Sequence, residues 1–472
     1  MQSLITEPLG LYGWTKAEPV ILAALLSEEP LLLVGPHGCA KSFVLERLAE
    51  SLGMAFRLYN ASLINYDDLV GVPLPDATRT RLEYLASPES IWEAEVVFID
   101  EISRTRPELQ NKLFPIIYDR RVQGRPLKKL IYRWAAMNPP PTNEELESED
   151  ALYLGSEPLD AALADRFPFI VTVPDWDTLS EDDRQHVLTD QFAGRHEFPV
   201  DIVALVAEAK ERYAALVQEQ SQKLAPFVAM VADKLRYARF DVSTRRATML
   251  LRAVIAVHAA REVLARHTSG GEEPELYASA LMAVLNALPD RARRPIDAAR
   301  VTAACKAAWD ICSLSDDPPL MRLMAISNPV TRLKCLVAER LSVPPDRVAA
   351  IVGEGIAGVK KNLRRGFALA TYLALRDNAD IPATTIELLA EEIRPAIEPS
   401  SGIVSVTMQK SKIGRTVALL SERAAREHGK DSELAQYHAN LLNSRLPDGY
   451  SNIEQVEEAS ADFISLWKEF GL

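Results

Sequence analysis

The sequence predicts an α/β module built on a parallel sheet, followed by an all-α region and then an additional all-α C-terminal domain. Three observations predict it. Short apolar runs alternate with helical patterns as far as Val173, which implies a parallel sheet with both faces covered. A tight small-residue loop, Gly35-Pro36-His37-Gly38-Cys39-Ala40-Lys41-Ser42, joins the first apolar run to the helix that follows it. After Pro174 the strand pattern fades, and helical periodicity runs on to Leu472.

The elements follow in order. Leu31-Leu32-Leu33-Val34 is the first strand, and the loop after it opens an amphipathic helix with Val44, Leu48 and Leu52 on one face. Gly53 stops that helix, and residues 54–59 read as a second strand. Residues 95–100 are a third, with the continuous apolar core of a buried parallel strand. A helix follows from about residue 105, with Leu109, Leu113, Ile116 and Ile117 inward. Pro115 within it predicts a kink or an early break. Residues 130–137 and 169–173 supply two more strands.

Residues 179–266 read as helices, the last over 244–266 with Met249, Leu250, Val254 and Val257 clustered. Breaks are expected at residues 267–274, 315–319, 399–402 and 446–449, with helices between them. The implied division is 1–178 for the α/β domain, 179–313 for a first helical domain and 314–472 for a second. There is no internal repeat and no low-complexity tract.

A chain of 472 residues suits roughly three domains, and 48% hydrophobic with 25% charged residues is ordinary globular material. The net charge of −13 argues against a general coating of nucleic acid or anionic membrane, though not against a local basic channel. Cys39, Cys305, Cys312 and Cys335 have no CxxC spacing. Cys305 and Cys312 read as small core residues on one helix face, with metal ligation or a disulfide the lesser reading. The apolar run over residues 20–26 is too short to span a bilayer and lacks a basic flank. The expected location is therefore cytoplasmic, without membrane insertion.

Strand, loop and helix together form a P-loop. The residues concerned are Gly35, Pro36, Gly38, Cys39 and Ala40 in the loop, then Lys41, Ser42 and Phe43 at the helix start. Backbone N–H groups and the positive helix end face phosphates, Lys41 reaches the β- and γ-phosphates of ATP, and the Ser42 hydroxyl holds Mg²⁺. The position before Lys41, usually glycine, is Ala40. Alanine substitutes there if the backbone stays at negative φ. The bland alternative is a simple strand-to-helix turn.

Val96-Val97-Phe98-Ile99-Asp100-Glu101 is the second chemical element. An apolar strand delivers Asp100 beside the expected phosphates, where it binds Mg²⁺ through water, and Glu101 polarises an attacking water. Asn138 closes the fourth strand, either orienting that water and touching the γ-phosphate or simply forming a turn before Pro139. Arg166 either pairs with Asp165 or is presented to a neighbour's nucleotide. Arg245, at the start of a helix, either reaches back to the phosphates or belongs with Arg246 to a solvated first turn.

In this order and spacing the elements resemble the AAA+ ATPases, and specifically the MoxR branch of the helix-2-insert group. Residues 56–71 resemble the stretch from the second strand into the insert. Ile99-Asp100-Glu101-Ile102-Ser103-Arg104 with Leu109-Gln110-Asn111-Lys112-Leu113 resembles the Walker B segment and its helix, and residues 159–167 resemble the arginine-finger segment. The resemblance covers about residues 10–265. It implies that Asp100 and Glu101 are the Walker B pair, Asn138 sensor 1, Arg166 the arginine finger and Arg245 sensor 2. Tyr12 and Gly13 would lie near the adenine. It also implies a homo-oligomer, a hexameric ring, and a protein client, among which proteins with a von Willebrand factor A domain are frequent. Three departures stand out: Ala40 for glycine, Ser103 for the usual asparagine, and Pro115 in a helix that is normally continuous.

The leading functional expectation is a ring-forming ATP-driven remodeller whose client-facing segments are residues 68–85 and 120–130. The first alternative is a nucleic-acid motor or restriction NTPase, carried by Arg120, Arg121, Arg125, Lys128 and Lys129. No aromatic residues interleave there for base stacking, which favours a solvated basic turn. The second alternative is a slowly hydrolysing nucleotide-gated scaffold, kept open by Ala40. A further basic run, Lys360-Lys361-Asn362-Leu363-Arg364-Arg365, reads as one exposed helix face.

Overall fold

The computed structural model describes residues 3–75, 77–80, 82–140, 158–190, 201–268, 270–313, 318–340, 343–376, 382–397, 411–446 and 450–472. It divides into two compact units, Met1–Asp310 and Ile311–Leu472.

The first unit opens with helix α1 (Glu18–Ser27), then β1 (Leu31–Val34), α2 (Lys41–Ser51), β2 (Phe56–Asn60) and the short α3 (Tyr66–Val70). A hairpin of β3 (Val72–Pro75) and β4 (Leu82–Leu85) precedes β5 (Val96–Asp100) and α4 (Pro107–Ile117). A second, two-residue-stranded hairpin joins β6 (Arg121–Val122) to β7 (Arg125–Pro126), and β8 (Tyr132–Met137) and β9 (Phe169–Thr172) complete the strands. Five of them form one sheet in the order β2-β5-β8-β1-β9, every pairing parallel. All residues of β1 and β8 are buried, while β2 at the edge is mostly half-buried. The inner strands β5, β8 and β1 are the apolar runs, and the edge strand β9 is buried over residues 169–171 as well.

Register brings the chemistry to one rim. Val34 pairs with Met137, and Asn60 with Asp100, so the carboxyl ends of β1, β5 and β8 finish side by side. Arg133 is buried in β8, its guanidinium donating to the carbonyls of Ile117 at 2.9 Å and Glu28 at 2.7 Å. Buried Glu18 of α1 accepts the N–H groups of Ile5 at 3.0 Å and Thr6 at 2.6 Å, tying the first residues to the core. Helix α4 continues two residues past Pro115, so the expected early break does not occur. The proline forfeits only its own N–H bond to the preceding turn, and the helix ends two residues later. The β3–β4 hairpin was not legible: Val72-Pro73-Leu74-Pro75 carries two prolines and lies exposed, without the alternation of a half-buried strand.

After β9 the unit is helical: Glu181–Asp190, the long Ile202–Tyr237, Thr244–His267, Leu276–Leu285 and Ala298–Cys312. Met249, Leu250, Val254 and Val257 are all fully buried. Cys305 is buried and Cys312 half-buried on one helix, and burial pushes the Cys305 thiol up to about 12.

The second unit is entirely helical over its described residues, from Pro318–Ala325 to Ile453–Glu469. Leu333, Ile351, Phe367, Leu369, Phe463 and Leu466 lie in its core. Pro318 and Pro319 open a helix, where a missing N–H costs nothing. Residues 314–317, 398–410 and 447–449, which include most of three expected breaks, fall outside the described residues. The basic run at 360–365 is not one helix face. It straddles a turn and the start of helix Arg364–Leu375. Arg365 donates to the carbonyl of Glu392 at 3.1 Å, and Lys360 and Asn362 bind Glu458 at 3.1 and 2.8 Å. Among the described residues no helix is long and apolar enough to cross a membrane.

Candidate nucleotide-binding site

The loop after β1 is closed by packing as well as by sequence. The Gly35 N–H donates to the Met137 carbonyl at 3.1 Å, and a Cβ on Gly35 would come within 2.2 Å of Val173. Only glycine fits that contact. Cys39 donates its thiol to the Pro36 carbonyl at 2.8 Å, folding the loop back on itself. Ala40 has φ of 60° and ψ of 23°. The expectation of negative φ at Ala40 is therefore corrected: the loop keeps the left-handed turn that glycine usually supplies, and the alanine Cβ bears the strain.

Lys41 is 8% exposed, and its ammonium donates to the carbonyls of Gly35 at 2.8 Å and Pro36 at 2.7 Å. It also lies 3.3 Å from Oδ1 of Asn138. Burial pushes its pKa down, against the opposing pull of Cys39, Asp100 and Glu101. The Ser42 hydroxyl donates to Oδ2 of Asp100 at 2.8 Å. Glu101 has φ of 53° and stands 3.4 Å from the guanidinium of Arg104.

These groups line one cleft of about 570 Å³, together with His37, Gly38, Phe43 and Met137. Sequence reasoning missed Arg104. Its position three residues beyond Glu101, across one turn of 3₁₀ helix, was the available clue.

The remaining predicted residues lie elsewhere. Tyr12 stacks on His186, ring centroids 5.1 Å apart, and Gly13 abuts Leu179. Neither lines the cleft. Arg166 lies over the Phe114 ring at 4.2 Å and donates to the Ala162 carbonyl. Burial, then the nearby Arg245 charge, lowers its pKa.

Arg245 is 3.6 Å from Asp165 and 5.4 Å from the Tyr118 ring centroid. Arg245 does not line the cleft. Neither is the Arg245-Arg246 pair a solvated first turn. Arg246 is fully buried and donates to the carbonyls of Ala164, Phe167 and Ala287 at 3.1, 2.8 and 2.8 Å. That anchor, with Ser243 bound to Asp165 at 3.0 Å, fixes the helix start beside Arg166. Asp165 is thus engaged by Ser243, Arg245 and Arg246, with no Arg166–Asp165 ion pair among the described residues.

The basic hairpin is partly neutralised. Arg120 pairs with Glu28 at 3.2 Å, Lys129 pairs with Glu93, and Arg125 lies 5.9 Å from the Tyr84 ring centroid.

Residues 30–167 match the family model described as AAA domain (dynein-related subfamily). The parallel-sheet core is an AAA domain, followed by a large helical region. "Uncharacterized protein YeaC" of Bacillus subtilis (strain 168) is 25% identical over 254 residues, covering 50% of this chain and 71% of that protein. A crystal structure of a candidate ATPase from Cytophaga hutchinsonii ATCC 33406 aligns with a TM-score of 0.42 at 17% identity, over 65% of this chain and 92% of that one.

Proposed function

We propose that the protein is an ATP-hydrolysing AAA+ remodeller of MoxR type that assembles as a ring and acts on a protein partner. The observation that carries this reading is the convergence of Lys41, Ser42, Asp100, Glu101 and Asn138 on one cleft, with Arg166 outside it. A cation, a carboxylate and a polar amide are the groups phosphoryl transfer uses, and among the described residues Arg166 does not line the cleft, which supports its supply from a neighbouring subunit.

Each residue has a task. Lys41 exchanges the loop carbonyls for phosphate oxygens, which offsets the burial of its charge. Ser42 and Asp100 are hard oxygen donors already 2.8 Å apart, and this donor set fits Mg²⁺. When bound, the metal neutralises charge on the β- and γ-phosphates. Glu101, oriented by Arg104, accepts the proton of the attacking water, and Asn138 fixes that water's position. Arg166, packed over Phe114, is the arginine finger offered to the cleft of an adjoining subunit, and Arg245, paired with Asp165, is the sensor 2 residue. Residues 1–178 are the nucleotide-binding part, 179–313 the lid and 314–472 a recruitment domain for a partner of the von Willebrand factor A type. A cytoplasmic location suits this role.

The test is a pair of variants. Lys41→Ala is expected to abolish tight ATP binding, while Glu101→Gln keeps binding and loses turnover. Wild-type affinity in Lys41→Ala would remove the assignment of the cleft.

A further inference from the structure

A second concavity, of about 580 Å³, opens in the first unit away from the phosphate cleft. Four arginines line it from two segments: Arg236 in the last turn of helix Ile202–Tyr237 with Arg239 just beyond, and Arg293 and Arg294 after the short turn Pro289–Ala292. Two carboxylates accompany them, so the lining is cationic in a chain whose net charge is −13.

The carboxylates have structural tasks. Asp290 is 2% exposed. Its Oδ2 accepts the Asp241 N–H at 2.8 Å, its Oδ1 accepts Nε of Arg294 at 2.9 Å, and its carbonyl accepts the N–H groups of Arg293 and Arg294. Arg294 also donates to the Arg239 carbonyl at 2.8 Å, so the two arginine-bearing turns are fastened together. Asp241 meets Arg293 at 3.5 Å in an exposed pair, which contributes little. Among the described residues neither Arg236 nor Arg239 has a partner for its guanidinium.

The backbone gives a second, independent observation. Arg239 has φ of 68°, at the position after a helix where glycine or asparagine adopts that conformation most readily. The Arg239 N–H donates to the Arg236 carbonyl and the Phe240 N–H to the Leu235 carbonyl, each at 3.0 Å, so the turn that ends the helix sets Arg236 and Arg239 together on the rim of the concavity. The floor beside it is apolar, from the buried Phe240 ring with Arg300 above it at 5.8 Å.

We propose that this concavity is a second anion site, which takes the pyrophosphate group of a compact phosphorylated ligand on Arg236, Arg239 and Arg293. Three guanidinium forks from two turns suit a group with several charged oxygens, whereas a lone carboxylate offers two oxygens and one charge. The volume is close to the 570 Å³ of the phosphate cleft, which gives room for a nucleotide-sized ligand.

The test uses the full chain and inorganic pyrophosphate in a calorimetric titration at low salt. Lys41→Ala removes binding at the phosphate cleft and leaves the second site to be read alone. In that background Arg236→Gln with Arg239→Gly is expected to weaken pyrophosphate about tenfold or more. Its melting temperature should be unchanged or higher, because Arg239→Gly relieves the left-handed backbone and neither guanidinium holds the fold. Loss of binding with retained stability is the outcome a merely structural role would not give. Arg236→Gln alone, on an exposed helix turn, provides the same reading should the double variant misfold. ADP competing with pyrophosphate here would support a nucleotide ligand, and pyrophosphate binding without ADP competition a free polyphosphate. No binding in the Lys41→Ala background, or equal affinity with and without the two arginines, overturns the proposal.

Discussion

The hydroxyl of Ser42 donates to Oδ2 of Asp100 at 2.8 Å, which joins the first turn of α2 to the end of β5. Two oxygens from separate elements already share one point of the cleft, without rearrangement of either backbone. Asp100→Asn should keep the fold and raise the Mg²⁺ concentration needed for half-maximal ATP binding by about tenfold or more. Nucleotide titrations at stepped Mg²⁺ measure it, and an unchanged Mg²⁺ dependence would remove Asp100 from that role.

Ala40→Gly addresses the strained loop. The left-handed backbone costs an alanine about 1–2 kcal/mol, and glycine returns roughly 0.5–1 kcal/mol of that through its greater unfolded-state freedom. The expected net gain is about 0.5–1 kcal/mol, read from the midpoint of denaturant unfolding, with ATP binding kept. A clear loss of stability would contradict the backbone assigned to Ala40.

Lys41 gives a pH dependence with a definite sign. Burial lowers its pKa in the free protein, and a bound phosphate would raise it again. ATP binding should therefore take up protons at alkaline pH. Affinity should fall as pH rises through the lowered Lys41 value, before an ordinary lysine would titrate. Calorimetry in buffers of different ionisation enthalpy counts those protons, and Lys41→Arg should move the fall to higher pH.

In the second unit, His438 is fully buried, with Nε2 2.9 Å from the Ser460 hydroxyl and no partner for Nδ1 among the described residues. Burial pushes it down to about 4. Between about 6.5 and about 4 the unfolded chain binds the proton and the folded chain does not, so stability is full above that window and lost as pH falls through it. The loss is on the order of 3 kcal/mol. His438→Gln should flatten the acid limb of a stability–pH profile, and an unchanged limb would assign it to other groups.

Much of this was legible because buried parallel strands must be continuously apolar, and Leu31-Leu32-Leu33-Val34 and Val96-Val97-Phe98-Ile99 are. With Tyr132–Met137 they deliver their polar successors to one rim, so Lys41, Ser42, Asp100, Glu101 and Asn138 follow from three strand ends. Positions set by tertiary packing were not readable. Whether Arg245 or Arg246 turned inward depended on the carbonyls of Ala164, Phe167 and Ala287, which only the fold brings together. The sign of φ at Ala40 is a property of the folded loop that residue type does not give, and the pairing of Arg104 with Glu101 depended on a turn that periodicity does not resolve.

The central claim is that the active site is shared between subunits, and one mixing experiment tests it most directly. Arg166→Ala and Glu101→Gln should each bind ATP and lose most turnover, the arginine by about 10³–10⁵-fold where such fingers act in trans. Mixed in equal amounts under conditions that exchange subunits, they should regain a substantial part of wild-type ATP hydrolysis, because some interfaces reunite an intact Arg166 with an intact Glu101. Steady-state turnover that stays at the level of the separate variants, with subunit exchange shown independently, would contradict the shared site and place Arg166 in its own subunit's packing against Phe114.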